Sequence, residues 1–255
     1  MKILGRTQML SQYSLIDSLA IIKGLGFDGV EICVERQDWT LIDLDSLPVE
    51  AIREQVVKLN LAPYSFSLHQ DYIYNDELLE MTKAAIRMTP ALGTNIFVFG
   101  GAKKRTGDKH EWQRMVDRTR SLTAVAEDSG VILAKEFEPG FVVGSTQELI
   151  RLFEEIPSPH LAANLDLGHV FLCDPQPVES IHQLGEKIVH CHISGMPAGV
   201  HDHVLMSEGD MDLPVYLRAL RDIGFDQGLA LDLYKYDYEV VATESVLYFK
   251  QLLKE

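Results

Sequence analysis

The chain has no surplus of positive charge to offer a polyanion. Its 255 residues include 38 acidic against 23 basic side chains, a formal net charge of −15. Nothing in that balance neutralises the phosphates of a nucleic acid or an anionic membrane face, so neither is expected as a partner. Cysteines are few. Cys33, Cys173 and Cys191 are odd in number, widely spaced and without a CxxC pair. They form no disulfide framework and suit a reducing compartment, with all three read as buried apolar residues. No window approaches the roughly 18 consecutive apolar residues of a membrane span. The stretch MKILGRTQMLSQYS has neither a long apolar core nor a small-residue cleavage site, so the expectation is a cytoplasmic protein without an export signal. Linkers rich in Pro, Gly and Ser, charge blocks and low-complexity tracts are also missing, which points to one domain over residues 1–255.

What the chain does have is alternation. Eight short β-rich runs recur: 2-KILGR-6, 29-GVEIC-33, 63-PYSFSLH-69, 94-TNIFVFG-100, 131-VILAKEF-137, 161-LAANLD-166, 188-IVHCHIS-194 and 228-GLALDLY-234. Between them lie segments with apolar spacings near three and four, such as 15-LIDSLAIIKGLG-26, 50-EAIREQVVKLN-60 and 215-VYLRALRDIG-224. Gly26 and Gly224 suit helix C-caps, and 60-NLAP-63 ends a third helix with Asn and Pro. Eight strand–helix units in a chain of this length predict an α/β fold, a (β/α)8 TIM barrel. An open doubly wound sheet would want a glycine-rich phosphate turn after the first strand, and 5-GRTQML-10 is not one.

In such a barrel, chemistry collects at the C-terminal ends of the strands, where polar residues interrupt apolar runs. Those residues are Glu31, His69, Glu136 with Glu138, Asp166 with His169, His190 with His192, and Asp232. Glu136 and Glu138 share a face if their strand runs that far; the alternative, for Glu138 more than for Glu136, is a salt bridge to Lys135 or a loop carboxylate. His190 and His192 fall on one face with Cys191 on the other. Two such imidazoles, matched by an Asp and a Glu at other strand ends, point to a metal site, and the mixed donors suit Mn, Mg, Co or Zn. A structural zinc site would normally carry thiolates. Asp232 points into the barrel if Leu231 and Leu233 face the helices; the alternative is a capping aspartate. The segment 201-HDHVLMSEGDMDL-213 adds His203, which completes a site or binds substrate, whereas His201, Glu208 and Asp210 read as loop surface. His69 is either a substrate donor or a solvated cap.

These residues resemble those of the xylose isomerase-like TIM barrels, the group of sugar-phosphate isomerases and epimerases, ketose 3-epimerases, inosose dehydratase and the abasic-site endonucleases. The resemblance covers essentially the whole chain and is sharpest in 134-AKEFEPG-140, 164-NLDLGH-169, the His-x-His of 190–192 and 203-HVLMSEGDMD-212. It implies that Glu136, Asp166, His192 and Asp232 hold one divalent cation. It also implies that Glu136 and Asp232 move the proton next to a substrate carbonyl through an enediolate, and that His169, His203, His69 and Glu138 bind a small sugar. Two departures stand out: Asp232 replaces a usual Glu, and no Arg follows the strand-seven His in 193-ISGMPAGV-200. The implied activity is therefore a sugar or sugar-phosphate isomerase or epimerase, with an inosose-type dehydratase as the alternative on the same site. A barrel that binds metal or sugar without turnover is the alternative of another class. An abasic-site endonuclease fits least, because it needs several zinc ions and a DNA-facing surface. Related barrels often form dimers or tetramers, which leaves a homo-oligomer open.

Overall fold

Strand order follows chain order. β1 (Lys2–Arg6), β2 (Gly29–Cys33), β3 (Ala62–Leu68), β4 (Ile96–Phe99), β5 (Ile132–Lys135), β6 (Leu161–Asp166), β7 (Ile188–Ile193) and β8 (Gly228–Leu231) run parallel and close when β8 pairs with β1. The computed structural model describes residues 1–254. Parallel neighbours require a crossover, and the segments with helical spacing supply it. These are α1 (Leu15–Gly24), α2 (Val49–Leu59), α3 (Asp76–Met88), α4 (Glu111–Ser129), α5 (Thr146–Glu155), α6 (Leu167–Cys173) with α7 (Pro177–Leu184), α8 (Leu213–Asp222) and α9 (Tyr238–Leu252). The expected (β/α)8 barrel is the architecture found, in a single domain. The expected caps form as well: Gly26, Asn60 and Gly224 turn left-handed with φ of +90°, +48° and +77°. No helix among the described residues is long and apolar enough to cross a membrane.

Several strands are shorter than their apolar runs. β4 stops before Gly100, β5 before Glu136 and β8 before Asp232, because at the C-terminal rim the chain leaves the hydrogen-bonded ladder to form the loops of the site.

Side chains alternate across the barrel wall. Phe97 and Phe99 of β4 pack outward into the large sheet–helix core, whereas Ile96 and Val98 join Ala134 in a separate small cluster. Tyr64 and Val189 pack against that cluster, and both are extra residues at bulges: the register skips from Pro63 to Ser65 opposite β2 and from Ile188 to His190 opposite β6. A bulge re-aims one side chain, and here each adds bulk to the inner cluster. Further along the same strands the buried residues change character to Glu31, Ser65, Asn164 and His190. The barrel is thus plugged by apolar residues at one level and polar at the next, which places the costly buried charges towards the rim.

Candidate metal and active site

Glu136 follows β5 directly and is 4% exposed. Its Oε2 accepts hydrogen bonds from Asn164 Nδ2 at 2.7 Å and from His69 Nε2 at 2.9 Å, and lies 3.2 Å from His192 Nδ1. The other nitrogen of His69 meets Glu35 Oε1 at 2.8 Å, so this imidazole bridges two carboxylates. Because β5 ends at Lys135, Glu136 and Glu138 do not share a strand face, although both line the cavity. Nor does Lys135 pair with Glu138. Its ammonium donates to the carbonyl oxygens of Gly100 and Glu136, pinning the backbone that presents the Glu136 carboxylate.

Asp166 has two jobs. It caps α6, with Oδ1 accepting from the His169 amide at 2.9 Å, while Oδ2 is buried with no partner. His192, its register neighbour on β7, has Nε2 3.1 Å from Glu31 Oε2; its Nδ1 is likewise buried without a hydrogen bond. Asp232 is anchored at its own amide, which donates to Ile193 O at 2.9 Å. Its Oδ1 is taken by Arg6, and its Oδ2 stands 3.9 Å from His192 Nδ1 and 3.7 Å from His203 Nδ1. Leu231 and Leu233 sit in the sheet–helix core, as expected if Asp232 faces inward. The donors overlap in triads whose atoms lie within 4.8 Å of one another, among them Glu136–Asp166–His169, His69–Glu136–His192 and Asp166–His203–Asp232. Two buried atoms without a hydrogen bond, set among these overlapping triads of carboxylates and imidazoles, fit a divalent cation, since unpaired polar atoms are costly to bury.

The charges are unevenly loaded. Burial alone would raise the Glu136 carboxyl, but His192 and His69 hold it well below the usual carboxylate range. Asp232 is likewise held down against burial by Arg6. Burial pushes Asp166 up to about 6, and burial together with the charge of Glu136 lifts Glu138 to about 7. His192 stays protonated well above its ordinary value because Glu136 and Glu31 outweigh its burial.

Some of this machinery was not expected from the sequence. Arg6, at the end of β1, donates from Nε to Glu31 Oε1 at 2.8 Å and from Nη1 to Tyr234 OH at 3.0 Å besides meeting Asp232. It is the counter-ion of the ring. Glu31 was a strand-end acid without a role, and it braces Arg6 and His192. His190 is a satisfied core residue: Nδ1 meets Asn164 Oδ1 at 2.8 Å and Nε2 meets Ser65 Oγ at 3.0 Å. His201 is an exposed loop residue as expected, yet it reaches the cavity, where its Nε2 lies 2.9 Å from His169 Nε2. The only signal for these was position at a strand end or beside one, which Arg6 shares with the expected ligands.

The ring opens into a cavity of about 250 Å³ whose lining includes His69, Glu138, His169, His203 and Trp39. His203 is steadied by Ser194 Oγ at 3.1 Å. Gly209 holds its loop close: a Cβ there would lie 2.5 Å from Met196 N and 2.9 Å from Gly195 Cα. Gly209→Ala is therefore expected to push the 201–210 segment outward and cost about 1–3 kcal/mol of stability, read by thermal unfolding.

The family model of xylose isomerase-like TIM barrels matches residues 19–252. Fructoselysine 3-epimerase of Shigella flexneri is 25% identical over 252 residues, spanning 91% of this chain and 90% of its own. Among solved structures, the probable 3-DHS dehydratase AsbF of Bacillus anthracis superposes with a TM-score of 0.80 at 18% identity, covering 98% of this chain and 99% of that one. The IOLI protein, crystallised with a bound zinc atom, does so with a TM-score of 0.80 at 22% identity, covering 99% and 96%.

Proposed function

The chain belongs to the xylose isomerase-like TIM barrel family, and from that premise we propose that it is a divalent-metal-dependent sugar isomerase or epimerase. The observation that carries this reading is the pair of orphaned buried atoms, Asp166 Oδ2 and His192 Nδ1: His192 lines the cavity with Glu136 and Asp232, and Asp166 stands beneath them within ligand reach of both carboxylates. These four residues would hold the cation. When bound, it supplies Lewis-acid polarisation of a hydroxy-carbonyl substrate and charge stabilisation of an enediolate. The mixed carboxylate and imidazole donors suit Mn, Mg, Co or Zn.

The chain's own groups do the rest. Glu136, kept ionised by His69 and His192, takes the proton from the carbon beside the carbonyl. Asp232, kept ionised by Arg6, faces the substrate from β8, three strands further round, which gives epimerisation its second side. His169 and His203 bind substrate hydroxyls and Glu138 accepts another, whereas His69, expected as a substrate donor, has both ring nitrogens taken by Glu35 and Glu136 and instead orients the Glu136 carboxylate. One observation favours the dehydratase alternative: Glu138, about half protonated near pH 7 and lining the cavity, is suited to give a proton to a departing hydroxyl. Assays of ketoses, inososes and sugar phosphates with added Mn or Co test the reading. Turnover without loss of water supports isomerase or epimerase. Loss of water supports the dehydratase. Stoichiometric metal with no turnover would leave a binding barrel and overturn both.

Metal affinity should depend on pH in two steps. Around neutrality His192 would have to give up its proton to hold a cation, so affinity should rise about tenfold per pH unit. Below about pH 6 Asp166 is protonated too, and the slope approaches about a hundredfold per unit. Competition with a chelator between pH 5 and 8 reads both slopes; a flat profile would show that neither group is a ligand.

A further inference from the structure

The rim of the cavity carries an aromatic feature that the proton-transfer chemistry does not use. Beyond β2 the chain turns back on itself, with Glu35 bridged to Leu41 and Ile42 N donating to Val34 O at 2.9 Å. At the tip Arg36 N donates to Thr40 O at 2.8 Å and Trp39 N to Arg36 O at 2.9 Å. Trp39 sits in the left-handed position of this turn, φ +64°. Gly or Asn usually occupies such a place, and a bulky side chain there costs about 1–2 kcal/mol. The indole is 53% exposed, so packing does not repay that cost.

It is nonetheless held in place. Gln37 Nε2 donates to Tyr234 O at 3.0 Å, tying the tip of the hairpin to the loop after β8. The Trp39 and Tyr234 rings lie 5.8 Å apart at 28°, and both line the cavity. Through its hydroxyl Tyr234 receives Arg6, the partner of Asp232. An unbroken path therefore runs from the exposed indole to the metal-ligand ring. Strain retained without a stability return marks ligand clamps and similar sites.

We infer that Trp39 and Tyr234 form a second subsite at the mouth of the barrel, which takes an uncharged cyclic substituent, such as a second sugar ring, on the substrate bound at the ring below. This rests on the proposed function and narrows its substrate class to substituted ketoses. With Tyr234 stacked against one side of it, the half-exposed indole leaves its other face open, and such a face is suited to the C–H face of a pyranose. On the far side of the mouth, Lys235 and Asp202 neutralise each other.

The test uses the two tryptophans of the chain, Trp39 and Trp112. Trp112 lies in α4, with Nε1 bonded to Glu155 at 2.8 Å and the Arg151 guanidinium over its ring, outside the cavity lining. Trp112→Phe thus leaves Trp39 as the sole indole reporter. Magnesium-supplemented protein is titrated with fructose and with isomaltulose, a fructose carrying a glucosyl ring. Isomaltulose is expected to shift the Trp39 emission and to bind about tenfold more tightly than fructose, the size of one good aromatic contact.

Calorimetry on Trp39→Gly, whose residue adopts φ +64° without strain, should show the preference for isomaltulose collapsing to about threefold or less, with a thermal midpoint equal to or above that of the parent. Trp39→Phe should keep most of the preference. An emission that neither sugar moves, or a preference that survives Trp39→Gly, overturns the subsite even if fructose is turned over and the proposed function stands. An isomaltulose-induced shift without turnover of either sugar supports the subsite and counts against the enzymatic reading instead.

Discussion

Glu136→Gln is expected to lower kcat/KM by about 10³-fold, the usual contribution of a positioned carboxylate base. The geometry gives the reason. Glu136 Oε2 gathers Asn164 Nδ2, His69 Nε2 and His192 Nδ1 within 3.2 Å. An amide of the same shape would fill the space without the charge that organises those donors. His69, raised to about 10 against its burial by the bonds to Glu136 and Glu35, would lose one of its two carboxylate partners. Metal content should drop together with turnover, because the same carboxylate serves both. Full metal content and full turnover on every sugar tested would show that Glu136 is neither ligand nor base.

Arg6→Gln should cause the largest loss of stability. Arg6 is 1% exposed and sits between Glu31 and Asp232, so its removal strands the buried Asp232 Oδ1 and leaves Glu31 with only its histidine and serine partners. Breaking a buried pair from one side costs about 3–5 kcal/mol. For a chain of this size that is a fall in Tm of about 10 °C. The loss should be partly reversed by millimolar divalent cation, which would restore positive charge beside Asp232 and stabilise the folded state by mass action. Thermal scans with and without metal read both effects. A midpoint that does not move would show that Arg6 is not the counter-ion of the ring.

The barrel was legible because its signal repeats eight times: each apolar run and each helical spacing is local, and Gly26, Asn60 and Gly224 mark helix ends by backbone geometry that few other residues adopt. The expected ligands were legible as polar residues at strand ends. What the sequence hid were the partners chosen by closure of the barrel. Arg6 and Asp232 are 226 residues apart, and no periodicity predicts that β8 returns beside β1 with those two side chains in contact. The same closure explains how the shorter Asp232 is placed, since Arg6 takes Oδ1 and leaves Oδ2 towards the cavity. His190 and His192 looked equivalent by spacing. They diverge because Asn164 and Ser65 satisfy the first, while Nδ1 of the second is left unpaired. Trp39 gave no signal at all, for its meaning lies in a backbone angle and in a ring almost 200 positions further along the chain.

If this ring of side chains moves a proton next to a carbonyl, solvent hydrogen should enter at that carbon. Ketoses and inososes would be incubated in D2O with the metal-loaded protein and followed by NMR at the carbon beside the carbonyl. Deuterium is expected at that carbon for at least one sugar, dependent on added metal and abolished by Glu136→Gln. Metal bound at one equivalent with no exchange into any of them would contradict that proton transfer.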